Sequence, residues 1–135
     1  MPTKRNFSAK REAIYNTLAS TKTHPTAEWV YEQLKPQIPD LSLGTVYRNI
    51  SVFRNIGLVK SVGVVDGQER FDADMSQHSH FVCKSCFKVI DVPSRKNPTD
   101  TNMYDVIEKQ CGVSVESHSV TFYGLCGECI KKQQQ

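Results

Sequence analysis

Residues 42–59 read SLGTVYRNISVFRNIGLV, and their pattern is typical of an amphipathic helix. Ser42 is a residue type that caps helix N-termini, and Gly57 suits the left-handed turn that ends a helix. Apolar residues recur between them at steps of three and four, at Leu43, Val46, Ile50 and Phe53. The opposite side is polar and includes Arg48, so we expect one buried face and one face that can meet a partner.

The elements on either side of this helix predict a winged helix-turn-helix. Upstream, Ser8 can cap a helix that runs to about Ser20, and Thr26 can cap a second helix that runs to Leu34. Downstream, LVKSVGVV and QERFD flank the dipeptide at 66–67, Asp-Gly, which suits the positive φ values of a hairpin turn. In such a fold the third helix can enter the major groove of DNA.

The composition changes near residues 72–77, and a second unit follows. FVCKSC and FKVIDV predict two short strands, residues 101–111 an amphipathic helix, and VSVESHSVTFYGLC a long strand. The KKQQQ tail is expected to be disordered. The sequence therefore predicts an α+β chain with a winged-helix domain at residues 1–74, a hinge at 75–79 and a small α/β domain at 80–135.

Charge and composition favour a nucleic-acid partner and a cytoplasmic location. The 135 residues carry a formal net charge of only +3, but the first eleven hold four positive charges and no negative one, at Lys4, Arg5, Lys10 and Arg11. This run is a candidate phosphate-binding patch, and the alternative is a solvated tail. No signal peptide and no apolar run of membrane-spanning length is visible, so we expect a reducing cytoplasm and no membrane partner.

Four of the five cysteines form two CxxC pairs, Cys83/Cys86 and Cys126/Cys129. Two such turns can complete a tetrahedral thiolate site for a structural Zn²⁺ that also clamps both ends of the domain. The alternative is a dithiol redox pair, which would require a CxxC at a helix N-terminus and a lowered thiol pKa. Cys111 has no such partner, and we interpret it as a buried thiol at a helix end.

Histidines and aspartates around the first pair form a second, harder donor set. His78 and His80 alternate, so in an extended strand both rings point to the same side. Asp72 and Asp91 can add oxygen ligands, and such a mixed site suits an exchangeable or redox-active divalent ion. The sequence therefore predicts one structural metal and one regulatory metal.

Four stretches together resemble the ferric uptake regulator family along nearly the whole chain: HPTAEWVY at 24–31, SLGTVYRNISVFRNIGLV at 42–59, RFD with HSHFVCKSC at 70–86, and YGLCGEC at 123–129. The resemblance implies a homodimeric, metal-dependent repressor that binds palindromic double-stranded DNA. It implies a C-terminal dimerisation domain, a structural zinc held by the four paired cysteines and a regulatory Fe²⁺ or Mn²⁺. By position, the regulatory ligands would be His24, Asp72, His78, His80 and Asp91.

The oxygen ligands resemble those of the peroxide-responsive members of this family, because both are aspartates where iron sensors often have glutamates. The resemblance then implies oxidation of a ligand ring, with His24 and His78 at the matching positions. Iron sensors also tend to have a His-His-Asp-His run, whereas this chain reads Gln-His-Ser-His at 77–80 and retains only His118 of that additional set. We therefore interpret His118 as a strand residue rather than a ligand.

For DNA contacts, the predicted third helix offers Thr45, Tyr47 and Arg48. Arg48 suits guanine or phosphate, and Tyr47 suits a thymine methyl group or phosphate. Three further basic residues are candidate phosphate contacts: Lys10, Arg11 and Arg70. The structural alternative is that Tyr47 packs against the helix and Arg48 is only solvated.

Three other functions stay open at this stage. The first is an iron- or manganese-responsive uptake regulator without peroxide sensing. The second is an enzyme, either a CxxC oxidoreductase or a metal-dependent hydrolase, but no pairing of nucleophile and base stands out and we expect none. The third is a zinc-stabilised interaction module that does not bind DNA.

Overall fold

The computed structural model describes residues 2–93 and 98–134, with side chains from residue 9 to 93 and from 102 to 134. Three helices come first, followed by two pairs of strands, a fourth helix, a last strand and a short helix. Their bounds are α1 (Pro2–Ala19), α2 (Ala27–Leu34), α3 (Leu43–Asn55), β1 (Lys60–Val65), β2 (Gln68–Asp72), β3 (His78–Cys83), β4 (Val89–Pro93), α4 (Pro98–Cys111), β5 (Thr121–Gly124) and α5 (Gly127–Gln133).

The first three helices and the β1–β2 hairpin enclose one apolar core. Its buried members come from all three helices, the α2–α3 loop and the open end of the hairpin: Ile14, Leu18, Ala27, Val30, Leu34, Leu41, Val46, Ile50, Phe53, Val59 and Phe71. The predicted apolar face of α3 is buried, except that Leu43 at its first turn is only half-buried. This arrangement is the predicted winged helix-turn-helix.

Two of the three predicted caps are confirmed, and the third is wrong. The Thr26 hydroxyl accepts from the Trp29 N–H and the Ser42 hydroxyl from the Thr45 N–H, both at 3.1 Å, which satisfies an otherwise unpaired donor at each helix start. The first helix begins at Pro2, so Ser8 lies within it. Proline fits the first helical position because its ring fixes a helical φ and that position needs no amide donor.

The hairpin turn is confirmed by its backbone angles, since Asp66 has φ 52° and Gly67 has φ 79°. The strands pair antiparallel from Lys60 opposite Asp72 to Val65 opposite Gln68, with an irregularity between Ser61 and Gly63. Asp72 therefore stands at the open end of the hairpin, where the chain continues toward the second unit.

The second sheet has the order β4-β3-β5. β3 and β4 are antiparallel, with His80 opposite Asp91, whereas β3 and β5 are parallel, with Cys83 opposite Gly124. The parallel pairing brings the end of β5 beside the end of β3, and the two CxxC pairs follow these ends. The topology thus places both candidate metal centres on β3, one at each end.

The predicted long strand over residues 113–126 is wrong, because only Thr121–Gly124 forms a strand. Local bonds hold the preceding segment against α4 instead: Glu108 accepts from the Val115 N–H at 2.8 Å, and the Tyr104 hydroxyl lies 2.5 Å from His118 Nδ1. Such side-chain bonds compete with strand pairing. The strand interpretation of His118 is therefore also wrong.

Two smaller expectations were also wrong. α5 covers Gly127–Gln133, so most of the tail expected to be disordered is helical, with Glu128 in its first turn and lysines in its last. Cys111 is exposed rather than buried.

The two sheets are linked by residues 73–77, and His78 and Ser79 of the predicted hinge lie in β3. Within the described ranges, none of the helices has both the length and the apolar character needed to cross a bilayer.

Two candidate metal centres

The four predicted zinc ligands come together at the end of β3. The sulfur atoms of Cys83, Cys86, Cys126 and Cys129 all lie within 4.8 Å of one another. Cys86 Sγ and Cys126 Sγ are 3.7 Å apart, close to the edge of about 3.8 Å expected for a tetrahedron with Zn–S bonds of about 2.3 Å. The donor set and its spacing therefore fit a zinc ion.

The local backbone favours thiolates in this cluster. N–H groups of Cys86 and Cys126 point at the Cys83 sulfur, at 3.5 and 3.4 Å, and lower the pKa of that thiol to about 5. A hydrogen bond with Ser85 lowers the pKa of Cys129, but the neighbouring sulfur atoms raise it to about 11. Four sulfurs this close cannot all ionise without a cation among them, and a divalent ion supplies that charge.

Five side chains converge at the other end of β3, from four different elements. His24 lies in the loop between α1 and α2, Asp72 ends β2, His78 and His80 are on β3, and Asp91 is on β4. One ligand atom of each lies within 4.8 Å of every other. The structure thus brings together all five residues of the predicted regulatory set.

All three histidines present Nε2 to the two carboxylates. Asp72 Oδ2 lies 2.8 Å from His78 Nε2, 3.0 Å from His80 Nε2 and 3.6 Å from His24 Nε2. Asp91 Oδ1 lies 2.6 Å from His24 Nε2 and 3.2 Å from His78 Nε2. Ligand atoms of one ion at bond lengths of about 2.1 Å are about 3.0 Å apart when adjacent and about 4.2 Å apart when opposite. The five atoms therefore need to move by only about half an ångström to surround one ion.

The hydrogen bonding of His78 gives a test of whether a cation fits. Its Nδ1 lies 2.7 Å from the carbonyl oxygen of Ser76, which can only accept, so Nδ1 carries the proton and Nε2 carries the lone pair. That lone pair then faces the carboxylate of Asp72 at 2.8 Å, which is repulsive unless a proton or a metal ion lies between them. The site chemistry therefore fits a bound cation.

Burial and hydrogen bonds set the charge states that a metal requires. Burial raises the pKa of Asp72, but hydrogen bonds from His80 and the Asp74 N–H outweigh it, and the pKa is lower than usual. Burial lowers the pKa of His80, and the nearby His24 and His78 add to this, whereas the bond to Asp72 opposes it. Ionised Asp72 and neutral His80 are the forms that bind metal.

A cavity of about 240 Å³ adjoins the histidine and aspartate cluster. His24, Asp72 and Asp91 form its inner wall, and Lys22 and the exposed Asp74 form part of its rim. Small molecules can therefore approach the ligand side chains from one direction.

The residues predicted to contact DNA differ in how free their side chains are. Arg48 is exposed, and one of its nitrogens donates to Thr45 Oγ1 on the same helix face at 3.1 Å. The Tyr47 ring is 43% exposed, and its hydroxyl donates to Glu28 on α2 at 2.6 Å. Tyr47 therefore does not pack into the core, and its DNA role stays a prediction.

The other basic candidates have partners within the protein. Lys10 pairs with Asp40 at 3.0 Å, and Arg11 donates to Asn49 at 2.9 Å. Arg70 directs its guanidinium at backbone carbonyl groups near His24. The side chains of Lys4 and Arg5 lie outside the described residues.

Sequence reasoning missed two supporting residues, Glu28 and Ser76. Glu28 positions Tyr47, and the signal was available, because the sequence places it in the first turn of α2 beside the predicted recognition helix. Ser76 acts through its carbonyl group, which orients His78, and its N–H and hydroxyl bond to Asp74. A backbone acceptor leaves no mark in the sequence.

Comparisons with known proteins agree on one family and one fold. Residues 4–123 match the model of the ferric uptake regulator family. The chain is 35% identical over 126 residues to the peroxide-responsive repressor PerR of Staphylococcus aureus strain USA300, which covers 93% of this chain and 83% of that protein. The match therefore extends through both units.

Solved structures lead to the same fold. The peroxide stress regulator of Campylobacter jejuni matches with a TM-score of 0.76 at 27% identity, over 95% of this chain and 94% of that chain. The ferric uptake regulator of Vibrio cholerae, described as revealing a rearrangement of the DNA-binding domains, matches with a TM-score of 0.65 at 26% identity, over 86% of this chain and 88% of that chain.

Proposed function

The chain belongs to the ferric uptake regulator family, and we propose that it is a metal-dependent, DNA-binding repressor of transcription that responds to peroxide. The proposed domains are the winged helix at 1–74, the hinge at 75–79 and the dimerisation domain at 80–135. Such a protein works in the cytoplasm as a homodimer on a palindromic operator. Regulators of this kind are not catalysts, so we propose no enzymatic activity.

One observation carries this proposal: a histidine of the DNA-binding unit shares a donor set with the other unit. His24 Nε2 lies 2.6 Å from Asp91 of β4, and its ring centroid lies 4.9 Å from that of His80 on β3. A divalent ion in this set would be held by His24, Asp72, His78, His80 and Asp91. Because the ligands come from both units, occupancy would stabilise one arrangement of the units over others, by no more than the difference in affinity.

In the proposed dimer, the arrangement of the two units determines the affinity for DNA. Two copies related by a two-fold axis present two α3 helices, and their separation must match two half-sites about one helical turn apart. Arg48 and Tyr47 would face the bases, with Thr45 beside them and Lys10 and Arg11 near the phosphates. The rearranged DNA-binding domains described for the V. cholerae relative support movement of this unit in the family.

The peroxide response would arise at the regulatory site. Bound Fe²⁺ would supply the one-electron reduction of hydrogen peroxide, which Mn²⁺ does not readily perform. His24 lines the cavity, and both His24 and His78 lie against the carboxylates, which supports them as the side chains that take up oxygen. An oxidised His24 ring loses a nitrogen donor, so the link between the two units weakens and the repressor leaves its operator.

The alternative is an iron- or manganese-responsive uptake regulator without peroxide sensing. The two candidates share every ligand and differ only in whether oxidant releases DNA. The PerR relative favours the peroxide-responsive function. Both require DNA binding that depends on the regulatory metal.

The test compares DNA affinity in matched metal states. Operator sequences are first selected from random duplex DNA with the Mn²⁺-loaded protein, and affinity is then measured with Mn²⁺, Fe²⁺ and Zn²⁺, each with and without hydrogen peroxide. We expect binding with Mn²⁺ and Fe²⁺, and loss with peroxide only for Fe²⁺, accompanied by one added oxygen atom on a peptide that contains His24 or His78. Release without added oxygen, or no release, would support the alternative. No selected DNA in any metal state would reject both.

A further inference from the structure

The loop that carries His24 is held by β2 through three consecutive carbonyl groups. Arg70 donates through Nε to the His24 carbonyl and through Nη2 to the Thr23 carbonyl at 2.9 Å. The next residue, Phe71, donates its backbone N–H to the Pro25 carbonyl at 3.0 Å. The residue after that is Asp72, a regulatory ligand, so β2 both holds the His24 loop and supplies a ligand beside it.

His24 needs such support because its backbone is in an unfavourable conformation. Its φ is 58°, in the left-handed region, where the Cβ of an L-residue is crowded. It also precedes Pro25, which disfavours helical conformations at the residue before it. A residue in this position adopts its conformation only when the surroundings impose it.

The His24 ring has no second anchor of its own among the described side chains and backbone. His78 is oriented by the bond between its Nδ1 and the Ser76 carbonyl. His24 Nδ1, in contrast, is buried and has no hydrogen-bond partner in that part of the structure. Apart from the contact of Nε2 with Asp91, the direction of the ring therefore depends on its backbone, and the backbone is held by Arg70.

Arg70 also reaches the second unit. Its Nη1 lies 3.4 Å from the carbonyl oxygen of Phe87, in the turn that follows the first zinc cysteine pair. Phe87 itself is tied back by a bond from its N–H to the Cys83 carbonyl at 3.0 Å. One planar guanidinium thus contacts the loop of the DNA-binding unit and the zinc turn at once, which a lysine cannot reproduce with a single ammonium group.

We infer that Arg70 is a positioning residue for the regulatory metal, which holds His24 in its ligating conformation and links it to the zinc turn, and that it is not a contact to DNA phosphate. This inference rests on the regulatory site proposed above. It replaces the phosphate-contact prediction for Arg70, because the donors that would meet a phosphate are directed at carbonyl groups of the protein itself.

The test measures metal binding in R70Q and R70K, with Arg54→Gln as the matched control. Arg54 is an exposed arginine on α3 that pairs with Glu69 of β2 at 3.3 Å and is not among the ligands of either metal centre. We expect both Arg70 variants to keep their zinc and to bind Mn²⁺ about 10- to 100-fold more weakly, the usual loss for an outer-shell partner. R54Q should bind Mn²⁺ like the wild type.

The number of imidazole ligands on the bound metal distinguishes a positioning role of Arg70 from a general loss of protein stability. Pulsed electron paramagnetic resonance of bound Mn²⁺ should detect three imidazole nitrogens in the wild type and two in R70Q at saturating metal, since His24 is no longer presented. A general loss of stability would lower occupancy without changing the number of imidazoles. Three imidazoles and unchanged affinity in R70Q would overturn the inference while leaving the proposed function intact. A wild-type site without histidine ligands would instead remove the proposed function.

DNA-binding measurements distinguish a positioning role of Arg70 from a contact with DNA phosphate. If Arg70 contacts a phosphate, R70Q at saturating Mn²⁺ should lose DNA affinity equally on all sequences, and the slope of log affinity against log salt concentration should fall by about one. R70K should then recover the lost DNA affinity. In the wild-type protein with diamagnetic Zn²⁺ in place of Mn²⁺, the Arg70 Nε–H should exchange slowly and keep its NMR shift when DNA is added. A shift on addition of DNA, or recovery of DNA binding by lysine alone, would overturn the inference.

Discussion

The two units obtain their stability from different sources. Eleven buried apolar residues form a single cluster in the three helices and the first hairpin. Around the second sheet, the described clusters contain only three buried residues each: one joins Val65 of β1 to Val82 and Val89, and the other consists of Cys83, Cys126 and Cys129. A unit with so little apolar burial cannot be stable on that term alone. The comparison indicates that the first unit is stabilised by hydrocarbon packing and the second by thiolate–metal bonds.

The exposed apolar side chains strengthen this contrast. In the second unit they include Met103, Val106 and Ile107 on α4 and Phe122 and Tyr123 on β5, between 36% and 68% exposed. Cover by a second copy, as proposed for the dimer, would add the apolar burial that the single chain lacks. Zinc and dimer formation are therefore expected to act on the same unit.

Cys83→Ser is expected to have the largest effect. It removes a sulfur whose pKa is lowered to about 5 by backbone N–H groups, and structural zinc contributes about 10–16 kcal/mol of binding free energy in small zinc-stabilised peptides. We expect loss of zinc and unfolding of the second unit, while NMR signals of the α3 core remain dispersed. The control Cys111→Ser should keep one zinc per chain. Collapse of both units together would show that they are not independent.

Ile50→Ala should affect the opposite unit. Ile50 is 2% exposed in the helical core, and truncation of such a residue costs about 2–5 kcal/mol. Chemical denaturation should show this loss in the helical transition, with zinc content unchanged. Ile50→Val, which removes one methylene, should cost only about 0.5–1.5 kcal/mol. Loss of zinc in the alanine variant would contradict the separation of the two stability terms.

His24→Ala should break the link between the units without unfolding either. Four of the five donors remain, so we expect Mn²⁺ affinity to fall by about 100-fold, equivalent to about 2.7 kcal/mol, and operator binding to lose its dependence on metal. Titration calorimetry and DNA binding measure the two effects. His118→Ala, whose ring bonds to Tyr104 rather than to the cluster, is the control. A metal response that survives in the His24 variant would disprove the proposed link.

Gly67→Ala should have the smallest effect of the four. Gly67 has φ 79° at the hairpin tip, with open space around its Cα, so the cost is only that of placing a Cβ in the left-handed region, about 1 kcal/mol. Gly127→Ala also meets no neighbouring atom but has an ordinary φ at the start of α5, and it should be neutral or slightly stabilising. Equal losses from the two variants would contradict the conformational explanation.

The winged helix could be predicted because its signals are local. Thr26 and Ser42 mark helix starts, the α3 stripe repeats with the helical period, and Asp66-Gly67 marks the turn. The second unit was less predictable because contacts distant in sequence determine it. Val113, Val115 and Val120 are typical of a strand, but Glu108 and Tyr104 hold the segment against α4, and only the four residues that pair with β3 form β5.

The candidate sites show the same division. The spacing within each CxxC pair and the alternation of His78 and His80 are visible in the sequence, and the structure brings both sets together. His24 is different, because no spacing rule connects it to residues about fifty positions later, and only the family resemblance indicated it. Arg70 was interpreted from its charge alone, whereas its role depends on carbonyl groups, which every residue has.

The distance between the two cysteine pairs along the chain has a consequence for biosynthesis. Cys86 and Cys126 are separated by 40 positions, which a ribosome that adds about 5–20 residues per second covers in roughly 2–8 s. During that interval the first pair emerges without the second, as an open dithiol that can capture a wrong ion or an oxidant. The winged-helix unit, whose core is already complete by Phe71, can fold before that interval begins. Zinc loading is therefore expected to be the late, vulnerable step in making this regulator.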